Sequence, residues 1–150
     1  MSTAPSPRIF VVDDEEAISA TLAAILRRSG FEVTAFTDPR ECLAAAFHGQ
    51  PELLVSDVIM QGLSGIELAV QMQQVCPDCQ ILLISGVVGT AHPVVEKMGD
   101  HPFQLLAKPL EPVLLIHEVR RKLARRTAVA CQGQKYARSL PRKDALFPES

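Results

Sequence analysis

Residues 53–65 read LLVSDVIMQGLSG, and this stretch decides the fold of the chain. Three apolar residues and a serine lead into Asp57, which is the pattern of a buried strand that ends on a polar residue. Residues 61–65 then form a glycine-containing loop, and the chain beyond them has the apolar spacing of a helix as far as Val75. A strand, a loop and a helix in this order make up half of a parallel β-α-β unit.

Four other stretches of the sequence also have the pattern of strands. Three of them are apolar runs that lead into polar residues: residues 9–12 before Asp13 and Asp14, residues 81–84 before Ser85, and residues 103–107 before Lys108. The fourth, residues 31–36, alternates apolar and polar side chains. The chain is therefore predicted to contain five strands.

Helices are predicted between the strands. Gly30 is a stop signal for the first helix, and Asp38 with Pro39 provides the N-cap and the first residue of the second. The second predicted helix covers residues 40–47, and the later ones run from the loop at residues 61–65 to about Val75, over residues 90–98 and over residues 112–125. This alternation predicts an α/β fold: a five-stranded parallel sheet in the order 2-1-3-4-5 with helices on both faces, the flavodoxin-like doubly wound arrangement.

The length and composition fit one globular domain, since 47% of the 150 residues are apolar and 21% are charged. We expect this domain over residues 8–125 and a flexible, mildly basic tail over residues 126–150. The chain up to Arg125 has 10 basic and 15 acidic residues, and the remainder has 5 basic and 2 acidic residues. The formal net charge of -2 gives no reason to expect direct binding to nucleic acid or to an anionic membrane.

No segment of the sequence has the length and apolarity of a membrane span or the pattern of a secretory signal. The cytoplasm is therefore the expected compartment, and the four cysteines are expected to be reduced. Cys76 and Cys79 form a Cys-x-x-Cys motif, but the motif follows a predicted helix and precedes a strand, unlike a thioredoxin-type site. We predict a structural role for both cysteines, with a redox or metal role as the less favoured alternative.

The polar residues at the strand ends are expected to meet, because the carboxyl ends of parallel strands lie along one edge of a sheet. This edge gathers Asp13, Asp14, Asp57, Ser85 and Lys108. An aspartate at a strand end is commonly a turn former or a helix cap, so the joint occurrence of all five residues is what favours a functional site. A carboxylate can attack a phosphoryl group, and Mg²⁺ is the divalent cation that carboxylate and phosphoryl oxygens suit best.

These motifs and their order resemble the receiver domain of two-component response regulators, of the chemotaxis-regulator type. The resemblance rests on the acidic pair, on Asp57 with the loop at residues 60–65, on Ser85-Gly86 and on Lys108-Pro109, and it covers roughly residues 8–125. It implies that Asp57 accepts a phosphoryl group from a sensor histidine kinase or a phosphotransfer protein. The expected role is that of a phosphorelay switch with no output domain, not that of an enzyme beyond its own phosphorylation and dephosphorylation.

The resemblance also assigns roles to the other residues. Mg²⁺ would be bound by Asp13, Asp14, Asp57 and the main-chain carbonyl of Ile59. Lys108 would contact the phosphoryl group, Ser85 would turn towards it as a switch residue, and the bond between Lys108 and Pro109 would be cis.

Two positions depart from the family pattern. The family usually has a proline where this chain has Gln61, and we expect this change to loosen the loop without affecting the chemistry. The switch aromatic residue that usually lies three residues before the lysine is replaced by Leu105. Phe103 lies on the same strand face by the two-residue alternation of a strand, so the usual coupling between phosphorylation and output is expected to differ.

Two apolar neighbours predict a long-lived phosphoryl group. Ile59 and Val87 occupy the positions at which this family tunes the approach of water to the phosphoryl group. Neither side chain can orient an attacking water molecule.

Two other functions compete with this interpretation. A phosphohydrolase of the haloacid dehalogenase type would need a second aspartate two residues after the nucleophile, where this chain has Ile59. A degenerate receiver that docks without phosphorylation is favoured by Leu105 but not by the complete acidic set. The downstream protein partner is not indicated by the sequence, and a homodimer is possible.

Overall fold

The computed structural model describes residues 6–86 and 103–137, and this part of the chain contains five strands. They are β1 (Arg8–Val12), β2 (Glu32–Phe36), β3 (Leu53–Asp57), β4 (Gln80–Ser85) and β5 (Gln104–Ala107). All neighbouring strands are parallel, and they form one sheet in the order β2-β1-β3-β4-β5. The predicted fold class and strand order are confirmed.

Four helices accompany the strands in the described part of the chain. They are α1 (Glu16–Arg28), α2 (Pro39–Ala46), α3 (Gly65–Val75) and α4 (Pro112–Ala137). The predicted helix at residues 90–98 lies outside the described residues, as does Val87.

The sheet separates two apolar cores because successive residues of a strand point to opposite faces. On β1, Phe10 and Val12 belong to the core that α2 and α3 cover, whereas Ile9 and Val11 belong to the core that α1 and α4 cover. All four side chains are buried. Full burial of an apolar side chain of this kind contributes about 1.5–3 kcal/mol, so packing on both faces holds the carboxyl ends of the central strands in place.

Short-range signals set the ends of the first two helices as predicted. Gly30 has a φ of 96°, a left-handed conformation that a glycine adopts without strain, and it follows the end of α1. The Asp38 side chain accepts a hydrogen bond from the main-chain N–H of Arg40, and Pro39 is the first residue of α2. The two helices are therefore held in place relative to the strands that precede and follow them.

The last helix is longer than the sequence predicted. It continues to Ala137 and does not end at Arg125, so the predicted end of this helix is wrong. Three alanines in residues 126–137 favour a helix, and the single interruption at Gly133 costs only about 1 kcal/mol relative to alanine. Residues 138–150 lie outside the described part of the chain.

In the parts of the chain that the structure describes, no helix combines the length and the apolarity needed to cross a membrane.

Candidate functional site

The carboxyl ends of the central strands bring the predicted site residues to one edge of the sheet. Asp57 is the last residue of β3 and pairs with Ile84, while Ser85 ends β4 and pairs with Ala107. Asp13 and Asp14 follow β1 directly, and Lys108 follows β5. The parallel register therefore places all five residues where the sequence predicted them.

Three carboxylates form a cluster at this edge. Asp13, Asp14 and Asp57 each contribute an oxygen atom, and these atoms lie within 4.8 Å of one another. Asp13 is buried, Asp57 is half-buried and Asp14 is exposed. The cluster is therefore open to solvent on one side and enclosed on the other.

Among the residues that the structure describes, Lys108 is the cation that faces this cluster. Its Nζ atom donates a hydrogen bond to Oδ2 of Asp13 at 3.2 Å and lies 3.5 Å from Oδ2 of Asp57. Burial favours the neutral amine, but the charge of Asp57 and the hydrogen bond to Asp13 outweigh this effect and raise the pKa of Lys108. The main-chain N–H of Lys108 also donates to the carbonyl oxygen of Ser85 at 2.8 Å, and this bond fixes the start of the loop that follows β5.

The Asp57 carboxylate has a higher affinity for a proton than a carboxylate in water. Burial raises its pKa, and the negative charge of Asp13 adds to this effect, while the Lys108 ammonium opposes both. A cation that approaches this edge relieves the repulsion between the carboxylates and would therefore bind favourably. The donor set fits a hard divalent cation such as Mg²⁺, which takes oxygen ligands from one or two carboxylates and from phosphoryl groups.

Asp13 has a second role in the turn that leads into α1. Its Oδ1 atom accepts a hydrogen bond from the main-chain N–H of Glu15 at 2.9 Å. Asp13 thus acts as a turn former, as the simpler structural interpretation of an aspartate at a strand end requires. The turn fixes one oxygen of Asp13 while its other oxygen faces Lys108.

Close packing of α3 against the main chain of Asp57 positions the carboxylate of this residue. Gly65, the first residue of α3, donates its N–H to the carbonyl oxygen of Val58 at 2.8 Å. A Cβ atom at this position would clash with the carbonyl oxygen of Asp57 and would lie 2.9 Å from its carbonyl carbon. The sequence showed Gly65 as a loop residue, but spacing alone does not show that two main-chain segments touch there.

Ser85 and Leu105 are the residues predicted to carry the signal away from the site. Ser85 is buried at the end of β4. Leu105 and Phe103 both pack against the core that α2 and α3 cover, so the prediction that they share one face is confirmed. Ile59 is half-buried and packs against the same core, and its role as a carbonyl ligand remains a prediction. The Lys108–Pro109 bond is cis, as expected.

The cysteines of the Cys-x-x-Cys motif lie at the opposite edge of the sheet, immediately before β4 begins. Both thiols are buried and unbridged. Cys76 donates to the carbonyl oxygen of Pro51 and Cys79 to that of Gln80. These contacts support the predicted structural role.

Comparisons with known proteins agree with this geometry. The family model of the response regulator receiver domain matches residues 9–120. The C4-dicarboxylate transport transcriptional regulatory protein DctD of Rhizobium meliloti is 29% identical over 129 residues, which are 86% of this chain and 27% of DctD. The transcriptional regulatory protein PrrA of Mycobacterium tuberculosis is 32% identical over 127 residues, which are 83% of this chain and 53% of PrrA.

A solved structure of chemotaxis protein CheY4 of Vibrio cholerae resembles this chain, and the similarity extends over nearly the whole of CheY4. It superimposes with a TM-score of 0.68 at 28% identity, covering 78% of this chain and 98% of CheY4. The curated relatives are longer, and the chain spans about half of PrrA and about a quarter of DctD. The comparisons favour neither of the competing functions. The chain belongs to the response regulator receiver domain family, the phosphorelay signalling domains of two-component systems.

Proposed function

We propose that Asp57 is the phosphoacceptor of a Mg²⁺-dependent switch whose donor is a phosphohistidine on a sensor kinase or a phosphotransfer protein. The observation that carries this proposal is the position of Asp57, 3.5 Å from Lys108 and within the same 4.8 Å cluster as Asp13 and Asp14. The cluster offers a nucleophile, a cation and additional metal ligands at one partly open edge.

In the proposed step, a carboxylate oxygen of Asp57 attacks the phosphorus atom, a new P–O bond forms, and the P–N bond to the donor imidazole breaks. The electron pair of that bond returns to the imidazole nitrogen. Asp13 and Asp14 would hold the Mg²⁺ together with Asp57 and the carbonyl of Ile59. The bound cation supplies charge neutralisation between the carboxylate and the phosphoryl oxygens. Lys108 stabilises the negative charge on the transferred group by approaching its oxygens as a point charge.

An apolar groove beside Lys108 supports the proposal that the phosphoryl donor is a protein. This cavity of about 560 Å³ is lined by residues of α1 and of the chain after β5: Ile18, Leu22, Ile25, Pro109 and Leu110. A protein that delivers a phosphoryl group to Asp57 has to reach the same edge of the sheet. We propose that apolar side chains of the donor occupy this groove during transfer.

The proposed output is a change in protein contacts and not direct binding to nucleic acid. Residues 8–125 are the proposed extent of the receiver domain, and this part is acidic, which disfavours contact with a polyanion. Ser85 is the proposed switch residue. Leu105, which packs against the same core as Phe103, is proposed to take the place of the usual aromatic partner.

Incubation with acetyl phosphate or phosphoramidate and Mg²⁺ tests the proposal directly. Intact-mass analysis is expected to show one added phosphoryl group, and peptide mapping is expected to place it on Asp57. Excess EDTA is expected to prevent the adduct, because without a cation the phosphoryl oxygens face the carboxylates of Asp13 and Asp14 unscreened. An adduct on another residue, or none in the presence of Mg²⁺, would contradict the proposal.

The phosphorylated chain is expected to lose its phosphoryl group slowly. Ile59 offers no polar atom on its side chain to orient a water molecule, and Asn introduced in its place would offer an amide. We expect Ile59→Asn to shorten the half-life severalfold, as followed by intact mass after removal of the donor. Val70→Asn, which makes the same exchange of an apolar residue at an exposed position of α3, is the matched control and should leave the half-life unchanged. Equal half-lives for Ile59→Asn and the wild type would contradict this interpretation.

A further inference from the structure

The loop between β3 and α3 reaches across the site to Asp14. The main-chain N–H of Gln61 donates a hydrogen bond to Oδ2 of Asp14 at 3.3 Å. This bond joins the loop that follows Asp57 to the turn that follows β1, 47 residues apart in the chain. It therefore links the two strand ends, those of β1 and β3, that make up the acidic cluster.

The loop that carries this N–H group is itself held at several points. Ser64 and Glu67 form a reciprocal capping box at the start of α3. Gly62, the residue after the donor, has a φ of 83°, which turns the chain back towards α3. Together with the bond from Gly65 to Val58, these contacts hold the donor of Gln61 in a defined position before any ligand arrives.

Asp14 differs from its two neighbours in how it is fixed. Asp13 and Asp57 both face Lys108, and Asp13 is also held by the N–H of Glu15. Asp14 is exposed and lines a polar hollow together with residues 37–40, Gln61 and Gly62. An exposed carboxylate on a short, rotatable side chain loses conformational entropy when it binds a cation, unless another group has already restricted it.

We propose that the main-chain N–H of Gln61 is a positioning group that holds Asp14 in the orientation required for Mg²⁺. This inference rests on the proposed function of the acidic cluster. The N–H of Gln61 donates a hydrogen bond to one oxygen of Asp14 and thereby fixes the orientation of the carboxylate. Less conformational entropy is therefore lost when the cation binds. The prediction that Gln61 affects only the loop is therefore replaced by a direct link to a metal ligand.

The role belongs to the main chain of Gln61 and not to its side chain, and this provides a sharp test. Gln61→Pro removes the N–H donor, because proline has none, whereas Gln61→Ala keeps it. We expect Gln61→Pro to weaken Mg²⁺ binding roughly tenfold and Gln61→Ala to leave it near the wild-type value. The probe is Mg²⁺ alone, titrated into the uniformly ¹⁵N-labelled full chain and followed by amide shifts. Equal affinities for all three proteins would overturn the inference, provided that urea unfolding shows that they are equally stable.

A second measurement does not depend on whether the proline variant folds. In the wild type the amide proton of Gln61 is expected downfield, because it donates to a carboxylate, and Asp14→Ala is expected to move it upfield. An unchanged Gln61 shift in Asp14→Ala would overturn the inference. If the wild type binds no Mg²⁺, the proposed function fails instead, and the Gln61 shift still decides whether the link to Asp14 exists.

Discussion

Asp57→Asn is expected to abolish the phosphoryl adduct completely under conditions in which the wild type is fully modified. Asparagine preserves the shape of the side chain but carries a neutral amide, which is a far weaker nucleophile than a carboxylate. Intact-mass analysis after incubation with phosphoramidate and Mg²⁺ checks this result. Asp78→Asn makes the same exchange at an exposed position between the two cysteines at the opposite edge of the sheet, and it should leave the adduct intact. An adduct of equal yield on Asp57→Asn would eliminate Asp57 as the acceptor.

The same substitution is expected to raise the free energy of unfolding at neutral pH in the absence of Mg²⁺. Burial and the charge of Asp13 raise the pKa of Asp57 above its ordinary value of 3.8. A carboxyl group with a raised pKa in the folded state contributes stability that is fully present below pH 3.8 and is lost as the pH rises through the folded pKa. The wild type therefore carries an unfavourable charge at pH 7 that asparagine removes.

Urea unfolding at several pH values tests this expectation. The advantage of Asp57→Asn should be greatest at neutral pH and should shrink as the pH is lowered towards the ordinary carboxyl range. Mg²⁺ should reduce the advantage as well, because a cation that binds the folded wild type stabilises it by mass action. A variant that is less stable than the wild type at pH 7 would show that the attraction between Asp57 and Lys108 outweighs burial and repulsion.

The parts of the site that could be predicted from the sequence are those that depend on side-chain type and strand order. Asp13, Asp57 and Lys108 meet because each lies at or just beyond the carboxyl end of a strand, and parallel strands align these ends along one edge. The continuous apolar run of β1 likewise predicts two cores, because a strand that is buried on both faces has no polar side. Side-chain periodicity carries this information without any tertiary contact.

The parts that could not be predicted depend on the main chain. Every residue except proline has a main-chain N–H, so nothing in the sequence indicates that the N–H of Gln61 meets Asp14. The end of α4 was misplaced for a related reason, because Gly133 is a weak breaker whose small cost was outweighed by the alanines around it. In both cases the deciding quantity is the position of the backbone, which composition and periodicity leave open.

Contact between the main chains of α3 and β3 leads to the second large prediction. Gly65→Ala is expected to destabilise the chain by about 2–3 kcal/mol, in the upper range for overpacking of a well-packed site. The added Cβ atom would meet the carbonyl group of Asp57 and would lie 3.0 Å from the Cα of Val58. Neither is the flexible end of a side chain that could move aside. Alanine has a better helix propensity than glycine by about 1 kcal/mol, so a net loss would show that the clash outweighs propensity.

Gly49→Ala provides a matched control for this prediction. The Cβ atom added there would meet the guanidinium of Arg8, which is the end of a long side chain and can turn away. We therefore expect a loss of stability below about 1 kcal/mol. Comparison of the two variants by urea unfolding separates the general effect of replacing glycine from the effect of the clash with the main chain of Asp57.

Gly65→Ala should also slow phosphorylation more than its loss of stability explains. The chain can relieve the clash only by moving α3 or the end of β3, and the second movement displaces Asp57 relative to Lys108 and Asp13. A displacement of about 1 Å at a reacting group can cost about 100-fold in rate, so the rate with phosphoramidate should fall even where the variant is fully folded. A wild-type rate in a folded Gly65→Ala chain would mean that α3 alone moves, and that the glycine serves the packing of the helix and not the position of Asp57.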